Sequence, residues 1–107
     1  MKEIKDAIEV IVAEEYERAN NKFPFFNSNH EGIAVLEEEI VETGAEWNLV
    51  RHHFHELKID VFTDNDIEQI LDVSNIRERA VKTCAELIQV IAMCDKFMDS
   101  KAEIVRI

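Results

Sequence analysis

Apolar residues recur at intervals of three and four through most of the chain, and this spacing predicts amphipathic α-helices. A first helix is expected over about residues 2–20, where apolar side chains return at helical spacing. Pro24 excludes a continuous helix through the segment that follows. Ser28 and Glu31 have the spacing of a capping box, so we expect a second, long helix from there to about Leu57.

The second helix carries an apolar seam with spacings of three and four throughout. The seam consists of Ile33, Leu36, Ile40, Thr43, Trp47, Val50, Phe54 and Leu57. A seam of this kind faces a core, so we expect Trp47 to be buried. Gly44 lies inside the helix, where it costs about 1 kcal/mol relative to Ala. A close helix crossing, the approach of a ligand or a mild kink would each account for it.

Two more helices are predicted after the pattern breaks at residues 58–62. The polar run 63–66 caps a short helix through Leu71, and Ser74 caps a fourth helix over about 75–99. One apolar stripe of the fourth helix is formed by Ala80, Cys84, Leu87, Ile91, Cys94 and Met98. A second apolar set, nearly opposite, consists of Val90, Met93 and Phe97.

These elements predict an all-α fold that resembles a four-helix bundle, with helices two and four the longest. We expect a single domain over residues 1–107. A monomer of this size hardly encloses a helix that is apolar on two sides. The chain is therefore expected to associate through the fourth helix, as a homodimer or a tetramer. The tail at 102–107 is too short and ambiguous to assign.

The charge of the chain narrows the range of partners. With 12 Lys and Arg against 23 Asp and Glu, its 107 residues carry a formal net charge of −11, which disfavours binding to a nucleic-acid duplex. No apolar run approaches the roughly 18 residues of a membrane span, and the N-terminus lacks the apolar core of a signal peptide. Cys84 and Cys94 fall on one predicted helix and cannot bridge each other there. Free thiols fit a reducing compartment, so a cytoplasmic location is expected.

The densest group of acidic residues lies on the second helix, from Glu37 to Glu46. Within it, Glu39 and Glu42 are about 60° apart around the helix axis and flank the apolar seam. Carboxylates held this close repel one another unless a positive charge intervenes, and Mg²⁺ is a common solution. The alternative is a solvated acidic face, to which Glu37 and Glu38 are expected to belong.

A second group of polar residues lies on the fourth helix. Glu86 and Gln89 have helical i, i+3 spacing and are bordered by apolar side chains. A carboxylate in such surroundings needs a partner or a metal ion, because burying it unpaired is costly. Lys82 is the alternative partner, since oppositely charged residues four apart on a helix form surface ion pairs.

Both groups resemble motifs of one enzyme family. The run Glu-Glu-Ile-Val-Glu at 38–42 resembles the E-E-x-x-E motif of the all-α nucleoside triphosphate pyrophosphohydrolases, the MazG-like superfamily. The run Glu-Leu-Ile-Gln at 86–89 resembles the E-x-x-D motif on a later helix of that family. Residues 29–39 are similar to short, phage-type members, and the resemblance covers about 25–97.

The resemblance implies an enzyme that splits a nucleoside triphosphate into monophosphate and pyrophosphate with Mg²⁺ or Mn²⁺. It implies that Glu39, Glu42 and Glu86 bind the metal. Glu38 and Glu39 would be catalytic, with Glu38 supporting the ligands or orienting water. Gln89 stands where the motif has Asp, and its carbonyl oxygen still suits a hard cation. Because one negative charge is lost, weak or absent hydrolysis is expected.

Candidates for substrate binding come from basic and His residues. Lys82 is a candidate for the triphosphate, and the other basic candidates on helices two and four are Arg51, Arg77, Arg79 and Lys96. His53 shares the face of the acidic residues and is a candidate second contact. Zinc is not expected at the neighbouring His residues, because side chains so close along a helix point in different directions.

Two functions are therefore open. One is a metal-dependent nucleotide pyrophosphohydrolase. The other is a catalytically inactive helical homo-oligomer that acts as a binding or regulatory module, an alternative favoured by Gln89 and by the lack of a clear basic cluster for a triphosphate.

Overall fold

The computed structural model describes residues 1–21 and 23–105, the last three of these by their backbone alone. The described residues form three α-helices: α1 Lys2–Ala19, α2 Asn29–Phe62 and α3 Asp66–Val105. The expected all-α class is confirmed. Of the unassigned tail, residues 102–105 continue α3, and 106 and 107 lie outside the described residues. None of the described helices is long and apolar enough to cross a membrane.

A side-chain cap sets the start of α2. The backbone N–H of Glu31 donates to the Ser28 hydroxyl at 3.1 Å, which confirms the predicted cap of α2. The Glu31 carboxylate accepts a hydrogen bond from the Asn27 side chain at 3.0 Å. The first contact satisfies a backbone donor that has no partner within the helix, and in the second Glu31 binds the Asn27 side chain rather than the Ser28 N–H of a full capping box.

The predicted break at Ser74 is wrong, since a single helix runs from Asp66 to Val105. Ser lowers helix stability only slightly at an interior position, and no Gly or Pro occurs in this stretch. The described residues therefore contain three helices where the sequence predicts four. Helix α2 also continues beyond its expected end at Leu57, to Phe62.

The chain divides into two compact units. The first unit consists of Met1–Ile40 and the part of α3 from Leu87 onward, and the second unit is Val41–Glu86. The core of the first unit is formed by Phe26, Ala92 and Met93. Partly buried side chains packed against this core are Tyr16, Val35, Leu36 and Phe97.

Polar groups fix Phe26 in the first unit. Its backbone N–H donates to the Ser100 hydroxyl at 2.8 Å, and this hydroxyl donates to the Lys96 carbonyl at 2.7 Å. The Lys96 ammonium lies over the Phe26 ring, 4.7 Å from the ring centroid. This cation–π contact places the buried Lys96 in the core rather than at a phosphate site, contrary to expectation.

Tyr16 links α1 to α3 within the same unit. Its hydroxyl donates a hydrogen bond to the Asp99 carboxylate. Burial, this hydrogen bond and the nearby negative charge of Asp99 raise the pKa of Tyr16 to about 12. The neutral phenol is therefore retained far into the alkaline range.

In the first unit, α3 packs through one side and leaves the other open. Ala92 and Met93 are buried, whereas Leu87, Cys94 and Met98 are exposed. The apolar stripe of the predicted fourth helix is therefore largely uncovered. The packing comes from the opposite apolar set, in which Met93 belongs to the core and Phe97 packs against it.

The second unit is a hairpin of α2 and α3. Val50 is buried, but Trp47 is 51% exposed, so the prediction that Trp47 belongs to the core is wrong. In a two-helix hairpin each helix is covered on one side only. Phe54 of the same seam is also exposed, whereas Thr43 and Leu57 are partly buried.

Candidate metal centre

Two carboxylates from different helices meet in the second unit. Glu42 on α2 and Glu86 on α3 each offer an oxygen, and these oxygens lie within 4.8 Å of each other. Glu39 lies one helical turn before Glu42 on α2 and offers an oxygen within the same distance of that of Glu42. The E-x-x-E spacing places Glu39 and Glu42 side by side, and the pairing of α2 with α3 brings Glu86 to Glu42.

The burial of these residues suits a metal site. Glu39 and Glu86 are half-buried, and Glu42 is exposed. Partial burial lowers the local dielectric constant, which strengthens both the repulsion between carboxylates and the attraction of a cation. The exposed Glu42 leaves a route for solvent and ligands.

The donor set fits Mg²⁺ or Mn²⁺. Both ions prefer carboxylate oxygens, and Mg²⁺ binds oxygen at about 2.1 Å in an octahedron. Two ligands of such an octahedron are about 3 Å apart when adjacent and about 4.2 Å apart when opposite. Oxygens that lie within 4.8 Å of one another reach these distances through small side-chain rotations.

Gln89 makes a contact that the sequence did not predict. Its Nε2 donates to Glu15 Oε1 at 2.6 Å, within the first unit, and Glu15 also pairs with Arg18 at 3.0 Å. An Asp at position 89 would oppose the Glu15 carboxylate with a like charge, whereas the neutral amide bonds to it. Because the nitrogen is engaged, the carbonyl oxygen is the atom of Gln89 left to coordinate a cation. No local sequence signal marks Glu15, since it lies on a helix distant in sequence.

The candidate catalytic and substrate residues lie on the same helices. Glu38 is exposed on α2. Lys82 forms an ion pair with Glu78 at 3.9 Å. Glu78 lies one turn before Lys82 on α3, whereas Glu86 lies one turn after it. His53 is half-buried, with its ring edge-to-face against His52 and the ring centroids 5.4 Å apart.

Other basic residues of the second unit have distinct surroundings. Arg79 is paired with Glu46 at 3.5 Å, and both side chains are about one-quarter to one-third exposed. Arg51 lines a cavity of about 360 Å³ on α2. The lining also includes Trp47, Val50, Phe54, His55 and Lys58. This cavity combines aromatic and cationic groups on the helix that carries Glu42.

A second acidic group, which the sequence analysis did not single out, lies at the end of α2. Asp60, Glu68 and Asp72 each offer an oxygen within 4.8 Å of the others. The hydrogen bond between Asp60 and Asp72, together with burial and the charge of Asp72, raises the pKa of the Asp60 carboxyl. The motifs of the sequence contain no sign of this group, because its residues come from both sides of a turn.

Comparison of the chain with protein-family models, with curated proteins and with solved structures gives no match.

Proposed function

We propose that the chain is a Mg²⁺-dependent nucleoside triphosphate pyrophosphohydrolase of the MazG-like type, which forms a nucleoside monophosphate and pyrophosphate. The observation that carries the proposal is the approach of Glu42 and Glu86, with Glu39 beside Glu42. These are the acidic residues of the two motif-like runs, and they are far apart in sequence. A solvated acidic face would not require carboxylates from two helices to meet.

The proposed roles follow from the positions of the side chains. Glu39, Glu42 and Glu86 hold Mg²⁺ or Mn²⁺, and the carbonyl oxygen of Gln89, one turn after Glu86, is the fourth protein ligand. When bound, the cation neutralises charge on the phosphates and lowers the pKa of water. Glu38 lies next to Glu39, is open to solvent, and orients the attacking water or accepts its proton.

The substrate groups of the proposal lie farther along the second unit. Arg51 lies nine residues after Glu42, which is about 14 Å along α2 and about 180° around its axis. The cavity that Arg51 lines therefore opens on the opposite side of α2 from Glu42, and we do not assign it to the substrate. His53 lies eleven residues after Glu42 and returns to within about 20° of it, so His53 on α2 and Lys82 on α3 are the candidate substrate contacts.

Mg²⁺-dependent release of pyrophosphate from a panel of ribo- and deoxyribonucleoside triphosphates tests the proposed activity. We expect turnover with Mg²⁺ or Mn²⁺, and loss of turnover when the metal is removed with a chelator. If no nucleotide is turned over or bound at millimolar Mg²⁺, the enzyme proposal fails. The chain would then be a helical homo-oligomer that acts as a binding module.

The proposal includes self-association as a homodimer or tetramer. In the first unit, Leu87 and Met98 are 45% and 60% exposed on one stripe of α3. In the second unit, Trp47, Phe54 and Val61 are exposed at heptad spacing on α2. Apolar rows of this kind form helix–helix interfaces, and a second copy of the chain supplies a matching row.

Replacing both Leu87 and Met98 with Lys is expected to convert the oligomer to a monomer, because the paired stripes would then carry like charges. Analytical ultracentrifugation measures the change. The control is Val81→Lys, an exposed apolar position on α3 outside the stripe, which should leave the oligomer intact. A wild-type chain that sediments as a monomer, or a double variant that remains oligomeric, would contradict the prediction.

A further inference from the structure

The turn that joins α2 to α3 lies within the second unit and carries its own group of three carboxylates. Asp60 belongs to the last turn of α2, and Glu68 and Asp72 belong to the first two turns of α3. Each offers an oxygen, and these oxygens lie within 4.8 Å of one another. Three like charges at this separation destabilise the turn unless positive charge or protons balance them.

Asp72 distinguishes this group from an ordinary acidic surface. It is only 7% exposed. Its Oδ2 is buried and accepts no hydrogen bond from the residues that the structure describes. A buried carboxylate oxygen without a donor is costly. The hydrogen bond between Asp60 and Asp72 leaves this oxygen without a donor, and a cation held by the group would balance it.

Three hydrogen-bond donors of the turn are directed to backbone carbonyls. The backbone N–H of Asn65 and the side-chain Nε2 of Gln69 donate to the carbonyl of Asp60, at 2.9 and 3.2 Å. The Thr63 hydroxyl donates to the carbonyl of Ile59 at 2.9 Å. These bonds satisfy the last carbonyls of α2, and none of them is donated to the carboxylate of Asp60, Glu68 or Asp72.

The local charge also favours a cation. The last turn of α2 contains no basic residue, and the C-terminal end of a helix carries a partial negative charge. Within residues 1–21 and 23–102, none of the ion pairs includes Asp60, Glu68 or Asp72. The turn thus combines three carboxylates with the negative end of a helix.

We propose that Asp60, Glu68 and Asp72 bind a hard divalent cation that joins the end of α2 to the start of α3. Carboxylate oxygens are the ligands that Mg²⁺, Mn²⁺ and Ca²⁺ prefer. Exposed Glu68 keeps the site open to solvent, and buried Asp72 supplies a rigid ligand. The bound cation stabilises the hairpin whether or not the chain hydrolyses nucleotides.

Titration of the whole chain with Mn²⁺, followed by the electron paramagnetic resonance signal of the free ion, tests this site. Glu42→Gln serves as the background, because it removes a ligand of the other acidic group. In this background we expect one Mn²⁺ to bind and to raise the melting temperature. Adding Asp72→Asn, which keeps the side-chain shape, should weaken the binding by about tenfold to a hundredfold or more and remove the thermal shift.

Asp64→Asn is the matched control. Asp64 lies in the same turn with φ of 55°, a left-handed conformation that Asn adopts well, and it is outside the group. Added to the background, it should leave Mn²⁺ binding unchanged. If the Asp72→Asn variant does not fold, Glu68→Gln on the exposed side provides the same test. A background that binds no Mn²⁺, or binding that persists unchanged in the foldable variant, overturns the proposal.

Discussion

Glu42→Gln is expected to lower Mg²⁺-dependent release of pyrophosphate by about a hundredfold or more. The substitution keeps the size of the side chain but removes a charged ligand at the point where α2 and α3 bring carboxylates together. Metal affinity should fall with activity, so raising the Mg²⁺ concentration should restore part of the rate. Steady-state rates measured across a Mg²⁺ titration test this prediction.

The melting temperature of Glu42→Gln shows whether the variant has lost only the metal site or has also lost stability of the fold. Replacing Glu42 with the neutral Gln removes its repulsion with the Glu86 carboxylate, so the metal-free melting temperature should rise rather than fall. The further rise caused by Mg²⁺ at the Glu42–Glu86 pair should disappear. Glu37→Gln is the control, since Glu37 is exposed on the same helix and outside the acidic group. An active Glu42→Gln enzyme with an unchanged Mg²⁺ requirement would contradict the proposed metal centre.

Gly32→Ala is expected to lower the free energy of unfolding by about 1–3 kcal/mol. A Cβ at this position would lie 2.5 and 2.8 Å from Cδ2 and Cε2 of the Phe97 ring, and 3.2 Å from Phe26 Cδ2. Both rings belong to the core region of the first unit, so neither moves away freely. Urea denaturation followed by circular dichroism measures the change.

Gly44→Ala is the matched control, because the same substitution in α2 meets no atom within 4 Å. Neither glycine has a positive φ, so the backbone conformation suits an Ala at both positions. Gly44→Ala should therefore stabilise the chain by about 0.5–1 kcal/mol, as expected for Gly replaced inside a helix. Opposite signs for the two variants are the expected result. If Gly44→Ala also destabilised the chain, Gly44 would have to be closely packed against a second copy of the chain in the oligomer.

The empty space around Gly44 also bears on why a helix-weakening residue occurs there. Of the three explanations that the sequence allows, a close helix crossing is not seen among the described residues. The close approach occurs instead at Gly32, which the apolar pattern does not mark. A glycine can be present because the backbone needs an unusual conformation or because another group approaches closely. The sequence does not tell these two reasons apart, whereas the tertiary packing does.

The elements with strong local signals were predictable. Helix α1 follows its apolar spacing, Pro24 lies in the connection, and the Ser28 hydroxyl caps α2. The signal at Ser74 was misleading, because a capping residue is also tolerated within a helix when both flanks favour helix. Local rules therefore predicted the start of α3, where the Asn65 side chain accepts the Glu68 N–H at 3.3 Å, but wrongly divided this helix at Ser74.

Part of the candidate metal centre was predictable as well. The spacing of Glu39 and Glu42 alone places them on one side of α2. The distance of Glu42 from Glu86 depends on the pairing of α2 with α3. The contact of Gln89 with Glu15 depends likewise on the packing of α3 with α1. Helical periodicity defines a face but does not state which face of another helix it meets.

The sequence by itself determined that the chain is helical, strongly acidic and equipped with carboxylates at i, i+3 spacing, because each property follows from residue type and local periodicity. Only the tertiary structure decided that Trp47 faces outward and that Asp72 is buried beside Asp60 without a donor for its Oδ2. Burial and the meeting of charges depend on contacts between residues distant along the chain. Such contacts arise only when the helices pack.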